Sequence, residues 1–484
     1  MRSDLSSVRI QRGSVTVFRT PDMLRALRQR NYRLWAAADF LSVGGTWMQV
    51  LGVNWLLLSI SGSATSLGFG LFLQSLPTLL LAFAGGSLAD RLPARPLVLT
   101  GQALHGLLAL ALAVIAFSDV QSVWPIYAVA LLGGMVSALD GPALGRFGAE
   151  VVGPEDLSNG LALGSVISSG GRILGMALAG ALIPLTGTGT LFLLNALSFG
   201  VVIATVLCMR AGEMHPLPRA EAAQAGVAAG LRYISRTRWL LVLLGMAFVL
   251  GALGRNYQVT MAAMSEGPLN AGAAGYGVLS VVFAVGAVLG GLYAASRPRL
   301  TFRILFAAAL LTSVGQALSG IVPGLLGFAV MLLPIAAAAV VLDTTVSTRA
   351  QLDTDPAMRG RVLAAQTMVG AASGAVGGPV LGMLCDALGP RQALILAGVV
   401  TTVAACAAAA LLTRSLGRTS PVAAAIGALR DAQGIRGLRG LRGLRRPSPA
   451  GPVRRPGVSR SVRPGDASRL SRASARAAAR RTRA

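Results

Sequence analysis

The sequence predicts an all-α integral membrane protein, with twelve spanning helices in two pseudo-symmetric six-helix bundles, and three observations carry that expectation. Of 484 residues, 54% are hydrophobic and only 13% charged, far more apolar than a soluble globular chain. Twelve apolar runs of roughly 20 residues follow one another, each long enough at about 1.5 Å per residue to cross a hydrocarbon core of about 30 Å. The second half also repeats features of the first at an offset of 203 residues, as from Asp140 to Asp343.

In order, the runs cover residues 34–60, 66–89, 96–117, 122–143, 158–184, 189–209, 239–262, 275–296, 302–321, 323–346, 363–385 and 391–413. They are too uniformly apolar for amphipathic soluble helices. They are also too long and too little alternating for outer-membrane strands, so helices are the form that satisfies the backbone in lipid. The domain organisation follows: a segment 1–33, a bundle 34–209, a linker loop 210–238, a second bundle 239–413 and a tail 414–484.

Arginine placement predicts orientation, because basic residues in short loops stay cytoplasmic. Residues 1–33 hold eight Arg, and the loops on that side hold Arg91 and Arg95, Arg146, five between 210 and 238, Arg297, Arg299 and Arg303, then Arg349, Arg359 and Arg361. The opposite loops hold Arg391 alone. Both termini are therefore expected in the cytoplasm and the protein in the plasma membrane. The basic start leads into a full-length span, so no cleavable signal peptide is expected. The tail carries 18 Arg against Asp431 and Asp466 and has little to bury, which predicts disorder. Adhesion to anionic lipid headgroups is the sharper alternative. Nucleic-acid binding is disfavoured because no aromatics are interleaved.

The composition removes several chemistries. All 43 basic residues are Arg, so neither a Walker A lysine nor a Schiff-base lysine exists. Cys208, Cys385 and Cys406 have neither metal spacing nor a disulfide framework. His105 and His215 are far apart. No nucleophile and base pair or metal cluster is visible, so the chain is not expected to be an enzyme and no cofactor is implied.

The duplication is carried by Asp140, Arg146, Gly171 and Gly175, which fall on Asp343, Arg349, Gly374 and Gly378 at the 203 offset. Gly85 and Gly86 find Gly290 and Gly291 at 205, and Gln49-Val50 meets Gln258-Val259 at 209. Together they argue for two parallel six-helix repeats.

The stretch GGSLADRLPAR, from Gly85 to Arg95, resembles the loop between helices 2 and 3 of the major facilitator superfamily. Gly86, Leu88, Ala89, Asp90, Arg91 and Arg95 match its pattern, while Pro93 stands where many members have Gly. The similarity covers about residues 18–413. FRTPDMLRALRQRNYRLW leading into GGTWMQV, then NYQV, and RGRV before span 11 look most like the bacterial drug and siderophore efflux branch that includes the enterobactin exporter. The resemblance implies that Asp90 faces the start of span 11, near Arg359, Gly360 and Arg361, forming a contact when that side closes. A carboxylate is favoured there by the helix dipole. The alternative is that Asp90, Arg91 and Arg95 form a solvated turn. The C-terminal counterpart has Ala295 and Ser296 where the pattern would put Asp and Arg, so the latch is expected on one bundle only.

Charges at membrane depth are costly and so point to function. Arg172 lies near the middle of span 5 and resembles a basic residue beside the Gly-Pro signature of antiporters. Met176 occupies the Pro position here, and the Gly-Pro survives in the other half as Gly378-Pro379. Arg172 is read as an anchor for an anionic substrate group, a partner for a proton-carrying Asp, or a structural group bonded to carbonyls. Asp140 and Asp343, each six residues before an Arg, are read as gating or structural ion-pair residues. Asp39 is the first choice for a protonatable coupling residue, and Arg255 is its distant counterweight or a rim residue. Gly171, Gly175, Gly374 and Gly378 are expected to allow close helix packing.

Spans 1, 4, 7 and 10, with 2, 5, 8 and 11, line the cavity in the superfamily, which implies that Gln49, Asn54, Gln74, Asn256 and Gln258 contact substrate. Gln49 and Gln258 are the favoured pair. His105 and Gln316 are assigned to inter-helix hydrogen bonds, Trp35 to the membrane interface and Trp47 to an apolar substrate. The implied function is secondary active export, by exchange with protons, of a moderately hydrophobic small molecule such as a drug, secondary metabolite or siderophore. A proton gradient would be the energy source and a monomer the working unit. A uniporter or importer on the same fold, and a non-transporting scaffold with a basic tail, are the alternatives. Asp90→Asn should leave membrane insertion intact yet reduce transport, as measured by flux from correctly inserted protein; wild-type rates would reject the latch.

Overall fold

The computed structural model describes residues 24–118, 121–216, 227–355 and 358–415. Most of the predicted N-terminal segment and the arginine tail beyond residue 415 lie outside the described residues. Among the described residues the regular structure is entirely helical.

The first bundle contains α1 (Arg30–Ser61), α2 (Ala64–Arg91), α3 (Ala94–Phe117) and α4 (Trp124–Val152), followed by a single helical run, Leu157–Cys208. That run is 52 residues long, too long for one crossing, and is broken at Gly187, where φ is 75° and ψ 176°. A left-handed φ of this kind is open to glycine without a steric penalty. The chain therefore reverses there, and the run supplies two spans, α5 (157–186) and α6 (188–208).

The linker is not loop throughout, as the sequence reading had it. It includes α7 (Val227–Arg236), on which Ile234 is buried against the second bundle and Tyr233 packs beside it. That bundle follows as α8 (Arg238–Gly254), α9 (Tyr257–Glu266), α10 (Gly272–Ser296), α11 (Phe302–Ser319), α12 (Gly324–Leu352), α13 (Arg359–Leu388) and α14 (Pro390–Ser415). Helices α8 and α9 together form one crossing, interrupted at Arg255 and Asn256. Eleven helical stretches are long and apolar enough to span a membrane, and the division at Gly187 brings the crossings to twelve. Several helices outrun their apolar cores: α4 continues from 143 to Val152 and α12 from 346 to Leu352. Hydropathy marks the lipid-embedded part, whereas backbone hydrogen bonding continues into the polar interface.

The sequence repeat becomes a repeat of contacts. Within the first bundle α2 lies on α4, α1 on the α5–α6 run, and α3 on that same run. Their counterparts in the second bundle are α10 on α12, α8 on α13, and α11 on α14. Between bundles α2 meets α13 and α5 meets α10.

Glycines decide how closely these crossings approach. A Cβ on Gly180 of α5 would collide with Gly277 of α10, backbone against backbone, and one on Gly68 of α2 would collide with the Gly378 carbonyl of α13. Within the first bundle Gly44 and Gly175 form a similar contact. Without a hydrophobic force between helices in lipid, such approaches supply the packing and dispersion that hold them together. Gly277→Leu should force α5 and α10 apart and destabilise the protein by about 1–3 kcal/mol. Gly86→Ala, where the added methyl meets open space, should stay within about 0.5 kcal/mol of wild type. Thermal unfolding of the purified protein in detergent checks both.

Candidate functional site

The chain crosses back and forth, so its connections fall at two ends, one of them shared with the described chain ends and here called the terminal end. In the half remote from it, a single apolar cluster joins both bundles. Met48, Leu51, Leu67 and Ile183 pack with Tyr257, Tyr276, Leu332 and Leu381. Toward the terminal end that continuity is lost. One core there, with Tyr32, Val98, Phe147 and Val206, belongs to the first bundle, and another, with Leu240, Leu305, Leu342 and Val362, to the second. Gly86 on α2 and Gly370 and Gly374 on α13 face open space. Helices α2 and α13, in contact at Gly68 and Gly378, therefore diverge toward the terminal end.

On the second bundle this half contains a cavity of about 470 Å³ lined by α8, α12 and α13, including Arg255, Asp343, Thr344, Ser347 and Gln366. Arg255 donates to Asp343 at 3.0 Å, and both side chains remain more than two-fifths exposed. The helical break explains how Arg255 reaches the cavity: it is the C-cap of α8, where a cation also complements the helix dipole. The site thus offers a solvent-accessible ion pair, the hydroxyl groups of Thr344, Ser347 and Thr348, and the Gln366 amide beside Ala247, Val346 and Val369.

Cross-bundle polar contacts close the remote side. The Asn54 amide donates to the Gln258 oxygen and to the Tyr276 hydroxyl, each at 3.1 Å, and Trp55 stacks on Tyr276 at 6.4 Å. At the remote surface, Asp386 near the end of α13 accepts from the start of α2. Its donors are the Ser63 hydroxyl, the Ala64 N–H at 2.8 Å, the Thr65 N–H at 2.9 Å and the Thr65 hydroxyl at 2.6 Å. A carboxylate of one bundle thus satisfies the unpaired N–H groups that begin a helix of the other.

The predicted latch is unmade in this structure. Asp90 is exposed and makes no hydrogen bond or ion pair among the described residues, because the ends of α2 and α13 stand apart. Arg95 instead donates to the Val206 carbonyl at 2.9 Å and the Leu207 carbonyl at 3.3 Å, at the C-terminal turn of α6. Arg361 lies 3.0 Å from the Met358 sulfur. Leu88 lines a lipid-facing groove between α3 and α4, while Arg91 and Arg359 are exposed.

Asp140 and Asp343, read alike as gating or structural ion-pair residues, have different partners. Asp343 pairs with Arg255, whereas Asp140 is buried in the first bundle with its carboxylate 3.4 Å from His105 on α3. Gly101 makes room for it, since a Cβ there would overlap the carboxylate. Arg146, rather than pairing with Asp140, donates to Glu150 at 2.9 Å and to the Ala89 carbonyl at 3.1 Å. Arg349 pairs with Asp353 at 2.7 Å and lies over the Phe302 ring. Arg172 sits 5.7 Å from the Trp47 ring centroid with its Nε buried and unpartnered. Asp39, half-buried on α1, has no partner among the described residues.

The amides expected to face substrate are divided. Gln49 accepts from Asn195 at 2.8 Å, and Asn256 donates to the Ala252 carbonyl at 2.9 Å, a bond local to the break between α8 and α9. Gln49, Asn54 and Gln74 line a chamber of about 50 Å³ inside the first bundle, together with His105. Of the favoured pair, Gln258 alone bridges the bundles, through Asn54. Gln316, assigned to helix-to-helix bonding, donates to the Leu253 carbonyl at 2.8 Å.

Sequence reasoning passed over Asp386, Tyr276 and Asn195. A signal existed for Asp386: it is an acid just before the Gly389-Pro390 corner, and SGSATS at 61–66 is a helix start rich in hydroxyls. Nothing in the spacing joins stretches more than 300 residues apart.

Known proteins fit this architecture. Residues 22–422 match a major facilitator family model described as transmembrane secretion effector. The staphyloferrin A transporter of Staphylococcus aureus is 28% identical over 176 residues, which cover 36% of this chain and 43% of that protein. Among solved structures, the nucleoside transporter NupG superposes with a TM-score of 0.64 at 14% identity, covering 79% of this chain and 99% of its own. A bacterial homologue of the human lysosomal transporter Spinster, in an inward-facing and unoccupied conformation, gives 0.61 at 15%, covering 82% and 97%.

Asp386→Ala removes the acceptor for four donors at the remote surface. Hydrogen bonds to charged groups are worth enough that opening there should become about tenfold more frequent. Cys385, buried beside the contact, reports it: in a background lacking Cys208 and Cys406, maleimide labelling should accelerate by about that factor, and an unchanged rate would remove Asp386 from the seal.

Proposed function

The chain belongs to the transmembrane secretion effector family, and from that premise we propose that it exports a moderately hydrophobic small molecule in exchange for protons. It is a multi-pass membrane transporter on the major facilitator fold. The observation that carries the finer reading is the one-sided cavity, sealed remotely by the Asp386 and Asn54 contacts and widening toward the terminal end. An exporter must load from the cytoplasm. The excess of arginine in the loops of the terminal end supports placing it on that side, and on this reading the present conformation is the loading state.

Alternating access follows from the contacts. The bundles rock about the glycine crossings of α2 with α13 and of α5 with α10. When the terminal end closes, Asp90 approaches Arg359 and Arg361, and the Asp386 contact parts. In this mechanism Arg255 and Asp343 couple the movement to its driving force. Their pair is solvent-accessible and lines the cavity, so a proton on Asp343 or an anionic group on Arg255 would release the partner. Arg172, held over Trp47, offers a second cation for a substrate bearing both charge and rings. The family's description supports export, and the partial relative, described as transporting staphyloferrin A, supports the siderophore class.

The decisive assay uses purified protein in proteoliposomes with an imposed pH gradient, with staphyloferrin A and ethidium as probes. Uphill movement of either probe against the proton flow is expected, collapsing when the gradient is dissipated. Equal flux with and without the gradient would reject proton exchange, and movement with the proton flow would indicate an importer. Asp343→Asn should abolish gradient-driven accumulation while leaving downhill probe exchange within about threefold of wild type, since it removes the proton-binding charge but little volume.

A further inference from the structure

The first bundle contains a titratable pair in which the central cavity has no part. Asp140 on α4 is only 5% exposed, and its Oδ2 accepts no hydrogen bond. Beside it is His105 on α3, whose Nε2 lies 3.4 Å from that oxygen. At that separation charge acts strongly, although the contact is longer than an ordinary hydrogen bond. The counterpart of Asp140 in the repeat, Asp343, faces a guanidinium, a group that stays charged. An imidazole is a cation only after it has taken a proton. A buried carboxylate without a compensating charge is costly, so a proton on His105 completes a pair that is otherwise half made.

His105 also lines the chamber of about 50 Å³ with Gln49, Asn54 and Gln74. That space is enough for about three waters, and the amides supply them with donors and acceptors. Asn54 belongs both to this chamber and to the remote seal, where its amide donates to Gln258 and Tyr276 of the second bundle. The rest of the surroundings carry no charge against the pair. Helix α6 stacks the Phe199 ring on the imidazole at 5.5 Å and has no charged residue of its own. The other charges of the first bundle are Arg30, Arg33 and Asp39 on α1, Asp90 and Arg91 at the end of α2, Arg95 at the start of α3, Arg146 and Glu150 beyond Asp140 on α4, and Arg172 on α5. Among the described residues His105 and Asp140 form an ion pair with each other and with none of these.

We propose that His105 and Asp140 form a proton-binding site whose occupancy governs the remote seal. With the Nε2 hydrogen directed at Asp140, the proton is taken from water at Nδ1, and the product is an imidazolium paired with a carboxylate. When the remote side parts, Asn54 loses both of its acceptors in the second bundle and the chamber opens to water from that side. Water solvates the imidazolium better than the closed chamber does, so the proton is held more tightly with the seal parted. By reciprocity, taking up the proton favours parting. The site lies in the other bundle from Arg255 and Asp343, and its action on the seal holds whatever the protein transports.

The chain has two histidines, and His215 is exposed, so His215→Gln leaves His105 as the sole imidazole. In the full-length protein, held in lipid nanodiscs and carrying isotopically labelled histidine, NMR reads the protonation of that ring directly. The seal is read by electron–electron double resonance between spin labels at Leu185→Cys and Leu326→Cys, exposed positions at the remote ends of α5 and α12, with the three native cysteines replaced by alanine. Between about pH 8 and about pH 6 the ring should pass from neutral to charged, and the widely separated population should grow at least about fivefold. Asp140→Asn and His105→Gln should each hold that growth below about twofold. Asp386 is intact in both variants, so any pH dependence of its own remains in them and is subtracted. A His105 ring that keeps one protonation state over this range, or undiminished growth in either variant, would overturn the proposal.

Discussion

Two helical bundles in lipid have little reason to adhere, because hydrocarbon solvates apolar side chains as well as a protein core does. What holds them here is the approach of one backbone to another at Gly180 with Gly277 and Gly68 with Gly378, reinforced by hydrogen bonds that lipid cannot replace. These crossings fix how far apart the bundles sit without fixing their relative tilt. The shared apolar cluster in the remote half, the split cores toward the terminal end and the cavity beside Arg255 all follow from helices joined at one level and free to diverge at another. The Asp386 contact then selects one tilt by joining α13 to the beginning of α2.

Duplication supplied the scaffold twice, and point differences gave each copy its own chemistry. Asp140 and Asp343 occupy equivalent places, yet one is buried against His105 and the other lines an open cavity beside Arg255. The difference arises from the neighbouring spans: α3 offers an imidazole and a glycine that accommodates a carboxylate, while the break after α8 swings a guanidinium toward α12. Arg146 and Arg349 diverge in the same manner, the first joining α4 to the end of α2 and the second staying on its own helix above Phe302.

The fold was legible because hydrophobicity writes it directly. Every apolar run became a crossing, and the offset of 203 residues became a matching set of helix contacts. Gly187 shows the limit: no composition rule separates a long apolar stretch with one glycine from two spans joined without a loop, although the division between 184 and 189 fell within a few residues of the turn. The chemistry was less legible. Sequence identified Arg255 and Asp343 as intramembrane charges but did not join them, since they come from elements 88 residues apart. Gln49 and Asn256 looked like substrate contacts and proved to be bonded to Asn195 and to the Ala252 carbonyl. A polar side chain in a span announces that it needs a partner, and tertiary geometry decides which one.

Four of the turns on the face remote from the chain ends are brief. Gly62 and Ser63 join α1 to α2, Gly187 alone joins α5 to α6, four residues join α11 to α12, and Gly389 alone joins α13 to α14. Such corners leave scarcely any protein standing clear of the headgroups. At these four corners a protease, antibody or other macromolecule arriving from that direction finds few handholds.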